Sequence, residues 1–319
     1  MQNQFELTDD QVAIQDMARK FTADAITPFA AGWDEKSHYP VDVWKAAGHV
    51  GFGGIYVSEE SGGTGLGRLE AALIMEAMAY GCPTTSAFIS IHNMAAWMID
   101  CFGGADLKAR FLPDLVSMNK IASYCLTEPG SGSDAAALKT SARLDGDHYV
   151  LNGTKQFISG AGYNDVYVVM VRTGDLGAKG ISCIVVEKDT PGLNFGASEK
   201  KLGWNASPTA QVIFEDCRVP VVNRVGAEGD GFRFAMAGLL PSVVMLIVSG
   251  PRLTTAGAIK VQRAGRSTMF TSARSACAAR ATCSFTWSSS VAPMATKAAW
   301  PSDTWPVKPV SSIRPRLAA

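Results

Sequence analysis

The segment Tyr124–Asp134, YCLTEPGSGSD, concentrates residue types that can hold an anion or a polar ring edge. Pro129, Gly130 and Gly132 make it turn-rich. Glycine lets backbone amides approach a ligand closely, and successive amides can cup a negative group. Thr127, Ser131 and Ser133 add hydroxyl donors for a carbonyl or a phosphate. On its own such a stretch is most often a solvated loop. It also lacks the strand–turn–helix frame of a dinucleotide-binding glycine motif, because the residues that follow alternate like a strand.

A second candidate lies about 20 residues on, in Phe157–Gly162, FISGAG. An aromatic side chain next to a hydroxyl can lie on the face of a planar ring while the hydroxyl bonds its edge. By itself Phe157 reads as a core residue.

Two kinds of element must position these segments. Residues 1–120 read as helical. Thr8 and Gln11 have capping-box spacing, and Ile14, Met17, Phe21 and Ala25 share one helical face. Pro28 and Gly32 loosen that run. Further helices are expected over Val41–His49, Arg68–Tyr80, Thr85–Phe102 and Ala105–Leu115. Leu69, Leu73, Ile74 and Met78 form the core stripe of the second of these, and a glycine-rich loop, Gly51–Gly67, precedes it. The period then shortens to two. Leu138–Leu144, His148–Leu151, Thr154–Ser159, Val166–Arg172, Ile181–Glu187 and Gln211–Glu215 read as strands. Asp145-Gly146 and Asn152-Gly153 supply hairpin-turn chemistry, which predicts antiparallel pairing. Helical character returns at Gly231 and is expected to fail at Pro241.

The two candidate segments gain meaning together. YCLTEPGSGSD, LNGTKQFISGAG, KGISCIVVEKDTPGL and LGWNASPTAQVIFEDCRVP, after the opening LTDDQVAIQDMARKF, resemble the acyl-CoA dehydrogenase family in order and spacing. The resemblance covers about residues 5–239. SIHNMAAWMID (Ser90–Asp100) and GDHYVLNGTK are most similar to the branch acting on isobutyryl-CoA, a short branched-chain substrate.

The resemblance implies an α+β multidomain fold. It predicts an amino-terminal all-α domain (1–120), a middle antiparallel β-barrel or sandwich domain (121–228), and a degenerate or missing carboxy-terminal four-helix domain (229–319). It implies FAD as cofactor. Tyr124, Cys125, Leu126, Thr127, Glu128, Pro129, Gly130, Ser131, Gly132 and Ser133 would line the flavin, with Thr127 near the pyrimidine edge. Phe157, Ile158 and Ser159 would form the second flavin segment, with Phe157 on the ring face and Ser159 near N5. Ser133 would also touch the CoA part of the substrate. The implied reaction is α,β-dehydrogenation: a carboxylate takes the α-proton of the thioester and the β-hydrogen leaves as hydride to the flavin. The implied partners are acyl-CoA, electron-transferring flavoprotein as electron acceptor, and further copies of the chain in a tetramer. An acyl-CoA oxidase or flavin monooxygenase of similar architecture is the alternative enzyme, and a non-catalytic truncated homologue the alternative to an enzyme.

The end of the chain departs from that pattern. Residues 240–319 hold 10 basic residues and one acidic residue, Asp303, whereas the first 239 hold the other 19 basic and 28 acidic ones. No Glu follows Glu228, so the family's catalytic Glu has no counterpart and no catalytic residue is assigned. Charge balance, periodicity and resemblance change at one point, as a shifted reading frame or a rearranged gene end would produce; a divergent but real carboxy-terminal domain is the alternative. The tail is expected to pack poorly. The remaining bounds are broad. Net charge is zero, which gives no footprint for nucleic acid or a membrane surface. Seven cysteines without a CxxC or Cys/His cluster predict free thiols and no metal site. The opening MQNQFELTDD shows no signal or transit character, which predicts cytoplasm in a bacterium or mitochondrial matrix in a eukaryote.

Overall fold

The computed structural model describes residues 6–248, together with two short strands at 260–263 and 266–269. Residues 1–252 form one unit and residues 253–319 a second, of which the described part is the antiparallel pair Lys260–Arg263 and Arg266–Met269. The remainder of the tail, and the expectation of poor packing there, lie outside the described residues.

The helical layer begins with α1 (Asp9–Phe21). Its capping box forms as the spacing predicts: the Gln11 amide donates to Thr8 Oγ1 (3.2 Å) and the Thr8 amide donates to Gln11 Oε1 (3.1 Å). A π turn, Thr22–Ile26, follows and shifts the helical phase. Ala18, Thr22 and Ile26 are therefore buried, whereas Met17, placed inward by an ideal 3.6 period, is exposed. After α2 (Ala30–Glu35), α3 covers Val41–His49 and α4 covers Arg68–Gly81. Leu69 of the expected α4 stripe is exposed in the first turn, while Leu73, Ile74 and Met78 are buried. Helices α5 (Pro83–Phe102) and α6 (Ala105–Val116) complete the layer.

Helix α5 runs through the core and carries polar side chains into it. Asn93 accepts from the Ile55 amide (2.7 Å) and donates to the carbonyls of Phe52 (2.7 Å) and Ile89 (3.0 Å). Asp100 accepts from the Ser58 amide (2.9 Å) and the Ser61 hydroxyl (2.5 Å). These bonds hold the glycine-rich loop against the helix. His92, fully buried, donates from Nε2 to the Leu115 carbonyl (3.0 Å) and accepts at Nδ1 from the Ala122 amide (3.0 Å).

That last bond leads into the sheet. Its strands are β1 (Ala122–Cys125), β2 (Ser141–Asp145), β3 (His148–Ser159), β4 (Val166–Arg172), β5 (Ile181–Glu187), β6 (Leu193–Phe195), β7 (Thr209–Pro220) and β8 (Arg224–Val225). The order is β6-β7-β3-β2-β4-β5-β8, with β1 beside β4. Side chains from β1 to β7 converge on one interior cluster that includes Tyr149, Leu151, Tyr167, Val169, Ile184, Val212 and Phe214. One rolled sheet thus supplies both walls of that core. The outer faces of β4 and β5 join a second cluster with α5 and α6, so both strands are buried on both faces.

Three expectations need correction. Asn152-Gly153 makes no hairpin: β3 runs straight through it, with a register shift against β7 between Leu151 and Gly153. Gly153 has φ +141°, and a Cβ there would meet Thr140 Cα at 2.7 Å, so the glycine serves a bulge and a close approach. The Asp145-Gly146 turn does form, with Asp145 paired to His148. The sheet is also not wholly antiparallel. Strand β1 pairs in parallel with β4 from Ala122–Val166 to Cys125–Val169, because the intervening forty or so residues provide the long crossover that parallel pairing needs. Finally, α7 runs Gly231–Val248 and contains Pro241. The proline removes one amide donor, and the turns on either side carry the helix past it.

His92 gives the fold a pH signature. Burial lowers its pKa from 6.5 to about 4, so the ring is neutral in the folded chain at neutral pH. The unfolded chain protonates first, so this contribution is complete above about pH 6.5 and is lost as pH falls towards 4. The full swing is about 3 kcal/mol. Urea unfolding from pH 7 to pH 4.5 should show that fall. A His92→Gln variant should have a shallower slope across the same window; an unchanged slope would show that His92 does not titrate there.

Candidate functional site

The two segments singled out in the sequence meet at one end of the sheet. The Gln156 amide donates to the Thr127 carbonyl (2.8 Å), which ties the loop after β1 to the last turn of β3. The Ser123 hydroxyl donates to the Ser159 carbonyl (2.7 Å) and accepts from Asn164 Nδ2 (2.9 Å). The Tyr39 hydroxyl donates to Asn164 Oδ1 (2.6 Å), so the helical layer reaches the same point.

The strongest tie is ionic. Lys155 of β3 and Glu128 of the loop are both buried, with Nζ 2.8 Å from Oε1. Lys155 also donates to the Leu126 carbonyl (3.1 Å). Glu128 accepts from the amides of Lys139 (2.6 Å) and Thr140 (2.9 Å). Burial pushes the Glu128 carboxyl up, but Lys155 and these donors pull it below the usual carboxylate range, so it is ionised. Burial lowers the Lys155 ammonium, and Glu128 opposes that shift. Two acceptors meet the ammonium and three donors meet the carboxylate, which favours keeping the ion pair out of water.

Within Tyr124–Ser133 the side chains divide by what they touch. Cys125 and Leu126 are buried in the apolar clusters. The Tyr124 hydroxyl is buried and has no hydrogen-bond partner among the described residues. Burial raises the Tyr124 phenol well above its ordinary range, so it stays protonated. Glu128 and Ser131 exchange backbone hydrogen bonds (2.9 and 3.1 Å), which closes a tight turn over Pro129 and Gly130. The buried Ser131 hydroxyl caps the Asp134 carbonyl (2.6 Å). Pro129, Gly130, Gly132 and Ser133 are exposed and Thr127 is half-buried. The Thr127 and Ser133 side chains make no hydrogen bond among the described residues, so both hydroxyls are free to meet a ligand.

In the second segment Ile158 points into the interior cluster and Ser159 is half-buried. Phe157 is 62% exposed and adopts φ +60°. An aromatic residue in the left-handed region is strained by roughly 1–3 kcal/mol, and here no burial offsets it. It lies where β3 shifts register against β7, between Lys155 and Ile158.

Sequence reasoning placed Glu128 at the ligand, whereas its carboxylate points inward to brace the loop. It missed Lys155 as the other half of that brace. Nothing short of the strand register identifies the partner of a lysine inside a mixed strand such as β3. An open cleft of about 870 Å³ between the glycine-rich loop and α6, lined by Ser58, Thr64 and Lys108 among others, includes none of the predicted site residues.

Comparison with known proteins fits this arrangement. The acyl-CoA dehydrogenase amino-terminal domain matches residues 8–119 and the acyl-CoA dehydrogenase middle domain matches residues 123–217. The chain belongs to the acyl-CoA dehydrogenase family. Isobutyryl-CoA dehydrogenase, mitochondrial, of Dictyostelium discoideum is 59% identical over 234 residues, 73% of this chain and 56% of that protein. The chain thus spans just over half the length of that curated relative. The structure of butyryl-CoA dehydrogenase from Megasphaera elsdenii aligns with TM-score 0.74 and 32% identity, covering 77% of this chain and 66% of that one. PigA, solved with FAD and proline, aligns with TM-score 0.74 and 31% identity, covering 78% of this chain and 67% of that one. All three alignments leave part of this chain uncovered.

Breaking the buried pair should be costly. Lys155→Met leaves a carboxylate buried without its cation and should lower unfolding free energy by about 3–5 kcal/mol. The double variant Lys155→Met/Glu128→Gln should recover part of that loss. Chemical denaturation of the three proteins measures both effects. A single variant within about 1 kcal/mol of the parent would mean that the pair is not buried as described.

Proposed function

We propose that this chain carries the flavin-facing and thioester-facing half of a short branched-chain acyl-CoA dehydrogenase that uses FAD, and that within its 319 residues it lacks the group needed to turn substrate over. The observation that carries the first part is the meeting of Tyr124–Ser133 with Phe157–Ser159 at one end of the sheet, under an exposed and strained Phe157. These residues fit a flavin. A planar ring on Phe157 would cover the exposed aromatic face. The free Thr127 hydroxyl and the Ser159 hydroxyl would meet polar atoms at the ring edge, and the orphaned Tyr124 hydroxyl would gain a neighbour. FAD, when bound, supplies the acceptor for the two electrons removed from the acyl chain.

This chain's own contribution is orientation. Loop amides around Gly130–Ser133 favour an anionic group, and the Ser133 hydroxyl is placed to bind the CoA portion of a thioester. The apolar layer beneath the loop keeps water from that side. Isobutyryl-CoA is the favoured substrate class because of the likeness of SIHNMAAWMID and GDHYVLNGTK to that branch. Electron-transferring flavoprotein would be the electron acceptor. The compartment would be the mitochondrial matrix in a eukaryote and the cytoplasm in a bacterium. Among the described residues no helix is long and apolar enough to cross a membrane.

The second part of the proposal rests on the tail. With no Glu after Glu228, no residue there matches the family's proton acceptor, and Asp303 sits between prolines. General-base catalysis contributes about 10²–10⁴-fold. A half-open site adds a further loss, because water weakens the contacts that acidify the α-carbon. The abrupt change in composition at residue 240 fits a shifted reading frame, and reading the gene around that codon in all three frames would identify the displaced helical segments.

Purified chain should therefore hold FAD well below one equivalent, bind added FAD weakly, and reduce no dye with isobutyryl-CoA or 2-methylbutyryl-CoA. Stoichiometric flavin with turnover on either thioester would overturn the inactive reading. Release of hydrogen peroxide would favour the oxidase alternative.

A further inference from the structure

Among the described residues five non-glycine residues adopt a left-handed backbone: Ser37, Met118, Phe157, Trp204 and Asp216. Ser37 is a small polar residue of the kind that visits this region at turns. Asp216 is held by Asn152, which receives its amide (2.9 Å) and donates back to its carboxylate (3.0 Å). Met118 is 1% exposed, so burial offsets its strain. Phe157 and Trp204 are different. Both are aromatic, both have φ +60°, and they are 62% and 48% exposed. For these two neither residue type nor burial accounts for the conformation.

The loop that carries Trp204 is nevertheless tightly built. Lys201 Nζ donates to the carbonyls of Trp204 (2.7 Å) and Ser207 and to Thr209 Oγ1 (3.0 Å). The Asn205 amide donates to Asp34 Oδ1 (2.7 Å), which fastens the loop to the end of α2. The same loop is joined to the Phe157 segment. The Gly160 amide donates to the Pro208 carbonyl (2.7 Å), and Ile158 and Ser159 pair with Ala210 and Thr209. Two strained, exposed aromatics thus stand on braced segments that share hydrogen bonds.

We infer that Trp204 is a second stacking platform, for a planar heteroaromatic ring of the flavin nucleotide whose other ring contact is Phe157. The inference rests on the flavin reading above and adds a residue to it. The shared chemistry is a flat π system, either isoalloxazine or adenine. Aromatic stacking of this kind is sequence-tolerant and strong enough to justify a strained rotor: stacking on a protein aromatic changes affinity by about fivefold or more per ring. A braced Trp also loses little freedom when a ring settles on it.

The test titrates the full chain with FAD, riboflavin and ADP separately, by calorimetry, for the wild type and for Trp204→Phe, Trp204→Gly and Phe157→Ala. Melting temperatures are taken without ligand. Trp204→Gly should bind FAD at least about fivefold more weakly, with Trp204→Phe close to wild type. The riboflavin and ADP arms show which ring is lost. Without ligand, Trp204→Gly should melt no lower than wild type, because glycine adopts φ +60° freely and the lost side chain is half exposed. A purely structural Trp204 would instead give a lower melting temperature and an unchanged FAD affinity, which overturns the inference. If Phe157→Ala weakens FAD while Trp204→Gly does not, the flavin reading stands and this inference falls. If the wild type binds none of the three ligands, both fall.

Discussion

The buried pair of Lys155 and Glu128 is the constraint on which the candidate site depends. Removing two charges from water costs several kcal/mol per ion, and mutual attraction repays it only when the remaining donors and acceptors are also met. Here they are. Lys155 reaches the Leu126 carbonyl as well as the carboxylate, and Glu128 collects the amides of Lys139 and Thr140. The pair therefore joins the start of the glycine-rich turn, its exit, and β3. Pro129, Gly130, Gly132 and Ser133 can stay exposed in one shape because their neighbours are anchored beneath them. Flexible residues at the surface and a rigid polar knot below are two halves of one device.

The helical layer has the same logic. Helix α5 buries His92, Asn93 and Asp100: His92 bonds backbone groups of α6 and β1, while Asn93 and Asp100 both bond backbone of the glycine-rich loop. His92 receives the first amide of β1, two residues before Tyr124. Strand β1 is short, and its parallel partner β4 is the centre of the apolar core. The loop after β1 is thus fixed at its root by a neutral imidazole and at its middle by an ion pair. Polar groups placed in a core in this way specify one arrangement, because any slip leaves them unpaired.

Local signals in the sequence transferred well to structure. Thr8 and Gln11 start α1, and Asp145-Gly146 turns β2 into β3. Each is a rule about a few neighbouring residues. The misreadings involve distance or competition. Asn152-Gly153 has turn chemistry, yet β7 pairs along the whole of β3 and Thr140 presses on the glycine, so the dipeptide becomes a bulge. Met17 fits an ideal helical stripe, yet the π turn at Thr22–Ile26 turns the face away. Strand β1 is four residues long and carries no local signal, because its pairing partner lies forty residues on. For the site, the exposed turn at Pro129, Gly130, Gly132 and Ser133 was legible from glycines and hydroxyls. The inward turn of Glu128, its tie to Lys155, and the strained exposure of Phe157 and Trp204 were not. Ionic partners and backbone angles are set by register, which one strand does not encode alone.

Native-state hydrogen exchange, read residue by residue, tests the central claim most directly. If the ion pair anchors the loop, the amides of Lys139, Thr140 and Gln156 exchange as slowly as those of β4 and β5, although Thr127 and Lys139 lie close to solvent. Lys155→Met then releases those three amides and leaves β4 and β5 protected. Fast exchange of the three amides in the unmodified chain, at the rate of exposed loop residues such as Gly130, would contradict the account.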